Sequence, residues 1–258
     1  MNIHIIGGGN LGASVAIGIA KFSSNHEVTV TRRNISKIQH LEPLGITIST
    51  DNTHAIQEAD IVILTVKPYQ VDLVLSEILP VIKDKIIASA VTGLSTEALQ
   101  NKIGQEHQAI RIMPNIAAQF GESATCISFH ENNAAQGQKL VSLFADLGTA
   151  PVIDEKLMDA ATVLAASGTA FALRYIRASM QAGIEIGFDW QTALEISAQT
   201  VKGAAKMLME EQVHPEQLID RVTTPQGCTI AGLSEMESHG FSSSIIRGIK
   251  AALKKIKG

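Results

Sequence analysis

Ile3-His4-Ile5-Ile6-Gly7-Gly8-Gly9-Asn10-Leu11-Gly12 decides the fold. A short apolar run of strand length leads into G-x-G-x-x-G, and Ala13 to Ala20 continues as a run compatible with helix. Strand, glycine loop and helix in that order form the setting that receives a dinucleotide pyrophosphate. Gly7 permits the tight turn out of the strand, Gly9 lets backbone approach the phosphates, and Gly12 lets helix and strand pack closely. The open N–H groups of the first helical turn, around Asn10 and Leu11, then face the anion along the helix dipole. The alternative is a plain glycine turn, which has no need of all three glycines at this spacing.

The second strand is expected at Glu27-Val28-Thr29-Val30-Thr31. A site for NAD usually carries an acidic residue about 20 residues past the loop, where it bonds the ribose 2′-hydroxyl. That place reads Thr31-Arg32-Arg33-Asn34, with no carboxylate and two guanidinium groups suited to a phosphate. NADPH is therefore expected, with NADH as second choice. The alternative is that Arg32 and Arg33 are ordinary solvated charges.

Outward from this site the strands and helices alternate. Strand-like runs lie at 3–6, 28–31, 46–49, 61–66, 86–89, 109–113 and 124–128, with amphipathic segments at 70–82, 95–103 and 133–147. Such alternation argues for a parallel, doubly wound sheet. Past Pro151-Val152-Ile153 the pattern changes: β-branched runs vanish, and apolar residues from Leu157 to Met180 recur at three- and four-residue steps. Further helices are expected at 190–211, 215–221, 227–237 and 243–257, the first capped by Asp189. The expected organisation is an α/β Rossmann-like domain over 1–153 and an all-helical domain over 154–258. The small residues of the first long helix suit close packing on another helix, and its many apolar positions suit a dimer interface.

Composition narrows the function classes. The 258 residues are 45% hydrophobic and 18% charged, with a net charge of −4, which fits a globular protein and offers no nucleic-acid surface. The lysines at 250, 254, 255 and 257 read as a solvated helix end. Cys126 and Cys228 make no disulfide framework, which suits a reducing, cytoplasmic setting. The glycine loop breaks the N-terminal apolar run, so no signal peptide is expected. The uncharged stretch between Asp159 and Arg174 falls short of a membrane span. The eight histidines show no metal-ligand spacing.

Four more segments carry candidate chemistry. Val66-Lys67-Pro68 follows the fourth strand, at the strand end where open α/β sheets bind ligands. Met113-Pro114-Asn115 follows another strand, and the Asn115 amide is a candidate contact for nicotinamide or substrate. Ala165-Ala166-Ser167-Gly168-Thr169-Ala170 is small enough for either a helix or a ring to come close. Thr223-Thr224-Pro225-Gln226-Gly227-Cys228-Thr229 opens a helix whose N–H groups at Gly227, Cys228 and Thr229 form a candidate carboxylate site. Cys228 has no histidine near it in sequence, and hydride transfer needs no thiolate.

Taken together, GGGNLG, DIVILTVKP at 60–68, RIMPN at 111–115, SGTAF at 167–171, AGIEIGF at 182–188 and VTTPQGCTIAGL at 222–233 resemble the signatures of the pyrroline-5-carboxylate reductases, in order over nearly the whole length. The resemblance implies a Rossmann domain, a helical domain that dimerises, and reduction of the cyclic imine 1-pyrroline-5-carboxylate to L-proline by NAD(P)H. It implies that the substrate carboxylate sits on the amides of Gly227, Cys228 and Thr229, with Thr229 bonding the substrate nitrogen and Thr224 and Ser167 nearby. A homodimer follows, with assembly into larger oligomers left open. The chain departs from the family at Gln226, where a glycine is usual, and at Ala165-Ala166-Ser167-Gly168-Thr169 and Asn115-Ile116-Ala117. If Gln226 takes positive φ, it does so at a cost glycine avoids. A different cyclic imine, or cofactor binding without turnover, are the competing readings. The β-hydroxyacid dehydrogenases share the two-domain plan but place a lysine after the small-residue stretch, where this chain has Phe171-Ala172-Leu173-Arg174-Tyr175.

Overall fold

The computed structural model describes residues 1–257; the Lys257 side chain and Gly258 lie outside the described residues. The chain divides into two compact units. One is Met1–Ser167 with the end of the last helix from Leu253, and the other is Gly168–Ala252.

The first unit is built on β1 (Asn2–Ile6), α1 (Asn10–Phe22), β2 (Glu27–Thr31), β3 (Thr47–Ser49), α2 (Asn52–Gln57), β4 (Ile61–Leu64), α3 (Val71–Ile78), β5 (Ile86–Ser89), α4 (Thr96–Ile103), β6 (Gln108–Met113), β7 (Ser123–Ala124), β8 (Cys126–Ser128), α5 (Ala134–Ala145) and β9 (Gly148–Thr149). The main sheet runs β3-β2-β1-β4-β5-β6-β8, parallel except for the antiparallel β6–β8 pair. The strand order reverses between β1 and β4, and in such sheets that point opens a crevice for a ligand. Because both faces are covered, the central strands are mostly apolar, and β4 (Ile61–Leu64) is apolar throughout. Ile3, Ile5, Val28 and Val30 pack with Val15 and Ile19 of α1 and Phe144 of α5. Ile6, Val62, Leu64 and Ile87 pack with Ile56, Val74, Ile78 and Leu99 on the other face.

The run expected as one strand at 124–128 is two. Thr125 turns its N–H to the Thr149 carbonyl (2.8 Å), so Ser123–Ala124 pairs with β9 while Cys126–Ser128 pairs with β6. β4 stops at Leu64, because Thr65 turns its hydroxyl onto the Gly7 carbonyl (2.8 Å).

The first compact unit extends past the change of sequence pattern at Ile153. Arg111 of β6, almost fully buried, pairs with Glu155 (2.9 Å) and Asp159 (3.0 Å), and Glu155 also accepts from the Thr96 N–H (3.1 Å) and hydroxyl (2.7 Å). These bonds hold α6 (Met158–Ala161) against the sheet. The long helix expected from about Leu157 is interrupted by a π-helical stretch, Thr162–Ser167. There the Thr162 hydroxyl donates back to the Met158 carbonyl (2.9 Å) and the Asn115 amide donates to the Ala165 carbonyl (3.3 Å), which draws backbone acceptors out of the regular ladder.

The second unit comprises α7 (Gly168–Glu185), α8 (Trp190–Glu211), α9 (Pro215–Arg221), α10 (Cys228–Ser238) and most of α11 (Phe241–Lys257). Asp189 caps α8 as expected, accepting from the Thr192 N–H (3.0 Å) and hydroxyl (2.6 Å), and these bonds hold its carboxyl below the usual range. α7 and α8 pack so closely that a Cβ at Gly183 would lie 2.8 Å from that of Ala193. Tyr175 and Phe241 meet edge to face at 6.1 Å. Leu173, Ile186, Trp190 and Met209 remain more than half exposed. Lys250, Lys254 and Lys255 are exposed on α11. Among the described residues no helix is long and apolar enough to cross a membrane.

Candidate active site

The glycine loop is pinned from both sides. The Gly7 and Gly8 N–H groups both donate to the Thr31 carbonyl (3.0 Å each), which fastens the loop to the end of β2. Gly7 has φ +111°, in the region that favours glycine, and a Cβ there would lie 3.0 Å from the Thr65 backbone. A Cβ at Gly12 would lie 2.2 Å from the Gly7 carbonyl oxygen and 2.6 Å from the Thr65 hydroxyl, so α1 can start this close to the strand only without one. Gly9 differs: nothing lies within 4 Å of the place where its Cβ would be. The space over Gly9 is open, and the first-turn N–H groups of Asn10 and Leu11 that follow it have no partner among the described residues.

A cleft of about 390 Å³ opens there. Gly7, Gly9, Arg32, Arg33, Val66 and Lys67 line it together. Asn10, Leu11, Gly12 and Pro68 stand in the turns beside it. Thr31, Thr50, Asn52 and Lys37 also line the cleft and were not singled out in the sequence. The signal for them was positional, since each lies at or just past the carboxyl end of β2 or β3. The two arginines differ. Arg32 turns its guanidinium back onto the Gly8 carbonyl and sends its N–H to the Ser49 carbonyl (3.0 Å). Arg33 is exposed at the cleft, and Lys37, also exposed, lines it too. An open space over Gly9, unspent N–H groups and cations at the β2 end fit a phosphorylated dinucleotide.

Met113, the last residue of β6, and Pro114 and Asn115 just beyond it are buried and do not line this cleft. The Asn115 amide, offered above to nicotinamide or substrate, is engaged inside the fold. Its Oδ1 accepts from the Ala117 N–H (2.9 Å) and its Nδ2 donates to the Ala165 carbonyl (3.3 Å). Asn115 thereby holds the π-helical stretch that ends at Ser167.

In the helical unit, Thr224-Pro225-Gln226-Gly227 is a tight turn, closed by the Gly227 N–H on the Thr224 carbonyl (3.0 Å). Gln226 takes φ +60°, the left-handed conformation a glycine would hold more cheaply. The turn corrects one expectation: the Gly227 N–H is consumed by Thr224 and is not open to a ligand. Gly227 caps α10 with no side-chain bond, so the open first-turn N–H groups are those of Cys228, Thr229 and Ile230. A Cβ at Gly227 would lie 2.4 Å from the Thr224 hydroxyl, which explains the glycine.

Comparison with known proteins bears on the whole chain. Residues 155–258 match the family model for pyrroline-5-carboxylate reductase dimerisation, and residues 2–93 match that for NADP oxidoreductase, coenzyme F420-dependent. Pyrroline-5-carboxylate reductase 2 of Dictyostelium discoideum is 41% identical over 98% of this chain and 91% of its own length. Pyrroline-5-carboxylate reductase 1 of the same organism is 40% identical over 98% of this chain, which spans about half (49%) of that longer relative. The enzyme of Aquifex aeolicus is 34% identical over 100% of this chain and 97% of its own. Among solved structures, Plasmodium falciparum pyrroline carboxylate reductase with NADP bound has a TM-score of 0.90 at 25% identity, covering 100% of this chain and 97% of that one. The Streptococcus pyogenes 1-pyrroline-5-carboxylate reductase has a TM-score of 0.87 at 30% identity, covering 100% and 98%. With a glycine-loop cleft in one unit, a tight turn opening a helix in the other, and relatives alike from end to end, this chain belongs to the pyrroline-5-carboxylate reductase family.

Proposed function

We propose that the protein is an NADPH-dependent reductase that converts 1-pyrroline-5-carboxylate to L-proline, as the names of its relatives indicate for them. The observation that carries the reading is the start of α10, where a tight turn leaves the N–H groups of Cys228 and Thr229 unspent beside the Thr229 hydroxyl. A substrate carboxylate fits such donors, and the helix dipole adds to the attraction.

When bound, NADPH supplies the hydride from C4 of its nicotinamide. The chain's residues do the positioning. Gly7, Gly9 and the N–H groups of Asn10 and Leu11 receive the pyrophosphate. Arg33 with Lys37 receives the 2′-phosphate, which favours NADPH over NADH. Val66, Lys67 and Pro68 shape the wall beyond the glycine loop, and Asn115 acts by holding the stretch that ends at Ser167. Cys228 and Thr229 hold the carboxylate, with Thr224 setting the turn. The Thr229 hydroxyl bonds the ring nitrogen. The imine takes a proton from water at nitrogen and a hydride at carbon, and becomes the secondary amine of proline. An iminium is the better electrophile, so no buried acid is needed.

The family model's dimerisation segment and the exposed apolar side chains of the helical unit support a homodimer. Free cysteines without a disulfide support work in the cytoplasm. Thr229→Ala tests the site: kcat/KM for the imine should fall while NADPH affinity stays within about twofold. Turnover near that of the wild type would remove Thr229 from the mechanism. Light scattering on the eluting peak tests the dimer.

A further inference from the structure

Behind the wall of the dinucleotide cleft lies an imidazole that the proposed chemistry does not use. His4 sits in the middle of the central strand β1, fully buried among apolar neighbours in sequence. Its Nε2 is 3.0 Å from the Thr31 hydroxyl, that hydroxyl is 2.5 Å from Asn52 Oδ1, and Asn52 Nδ2 is 3.0 Å from a Glu77 carboxylate oxygen. Thr31, Asn52 and Glu77 all line the cleft, as do Arg33 and Lys37.

The chemistry of the partners fixes the direction of every bond. Glu77 only accepts, so Asn52 must turn its NH₂ to it and its carbonyl to Thr31. Thr31 must then spend its one hydroxyl hydrogen on Asn52, which leaves its lone pairs to accept from His4. The proton on the neutral His4 ring is therefore on Nε2, and Nδ1 is left bare. Nδ1 is in fact buried without a partner among the described residues. Burial also keeps the ring neutral, pushing its pKa down to about 4. A bare buried acceptor is a cost that an aliphatic side chain here would not carry. Packing therefore does not account for a histidine at this place, whereas the Nε2–H donor does.

We propose that His4 is a positioning residue for the dinucleotide: by donating to Thr31 it keeps the Thr31 hydroxyl hydrogen on Asn52 Oδ1 and so steadies the amide that Glu77 orients, whose second N–H is then presented to the phosphorylated ribose of NADPH. Without that donor nothing holds the Thr31 lone pairs toward β1, so the hydroxyl can rotate off Asn52 Oδ1 and leave the amide tied by Glu77 alone. This inference rests on the reading of the cleft as an NADPH site.

His4→Leu and His4→Gln, purified as full-length protein, test it by NADPH titration, steady-state kinetics and thermal melting. His4→Leu should raise the NADPH Kd and KM three- to tenfold, leave kcat and the imine KM unchanged, and melt no lower than the wild type. His4→Gln places an amide donor near the same point and should recover most of the affinity. Thr31→Val cuts the chain one step closer to the cleft; it should reproduce the loss, and His4→Leu added to it should change NADPH affinity no further. Wild-type NADPH affinity in His4→Leu, or a lowered melting temperature with unchanged affinity, would overturn the role of His4 alone. Failure of the wild type to bind NADPH would overturn the cleft reading beneath it. If His4→Leu does not fold, Thr31→Val decides, and wild-type affinity there overturns the proposal.

Discussion

The two arginines after β2 look interchangeable in sequence, and the structure separates them. Arg32 holds the Gly8 carbonyl with its guanidinium, so it shapes the loop that any dinucleotide must meet. Arg33 stands exposed at the cleft and is free to meet a 2′-phosphate. A charge-assisted bond to phosphate contributes about 1.5–3 kcal/mol, and exposure takes that toward the lower end. Arg33→Ala should then raise the NADPH KM about 10-fold, since 1.4 kcal/mol is a factor of ten. The NADH KM should change less than about twofold, because NADH has no phosphate to lose. Arg32→Ala should weaken both cofactors by similar factors, since it loosens the loop and not the phosphate contact. The assay is initial-rate oxidation of each cofactor at saturating imine, with a direct fluorescence titration of each. Equal losses of NADH and NADPH in Arg33→Ala, or no preference for NADPH in the wild type, would refute the argument.

Other perturbations probe the glycine loop, the turn before α10 and the buried histidine. Gly9→Ala should melt like the wild type, because its Cβ meets nothing in the protein, yet bind NADPH far more weakly, because that Cβ fills the pyrophosphate's place. Gly12→Ala should cost about 1–3 kcal/mol of stability and lower the melting temperature, since its Cβ would press on the Gly7 carbonyl. Gln226→Gly relieves a left-handed conformation worth about 1–2 kcal/mol, less the ~0.5–1 kcal/mol that glycine's freedom costs, so the protein should melt a degree or two higher; a lower melting temperature would contradict the turn geometry. Acidification tests His4. Its folded pKa of about 4 lies below the unfolded value of 6.5, so between those values the unfolded chain binds the extra proton. Stability should fall by up to about 3 kcal/mol as pH drops through that window, and His4→Leu should flatten this part of the profile in urea melts.

Local signals carried much of the fold. The glycine loop, the helices at 190–211 and 215–221 and the Asp189 cap are set by neighbours in sequence, and each stands where periodicity and capping chemistry put it. What stayed hidden depends on partners distant in the chain. Thr125 splits a strand because its N–H finds Thr149, and Thr162–Ser167 departs from regular helix where Asn115 reaches Ala165. The same distance explains the misread site groups. The Asn115 amide looked available because Ala165 lies 50 residues away. The Gly227 N–H looked open because nothing in sequence says that Pro225-Gln226 closes a turn onto Thr224. Thr31 read as an ordinary β-former; only the folded chain sets it between His4 and Asn52.

The departures at Gln226 and Ala165-Ala166 bear on which ring the protein reduces. The most direct test is NADPH oxidation by the purified protein with 1-pyrroline-5-carboxylate, run beside a six-membered piperideine carboxylate, with the product identified by mass. The five-membered imine should turn over rapidly to proline, and the larger ring little. Turnover of the larger ring only, or NADPH binding with turnover of neither, would contradict the proposed reaction.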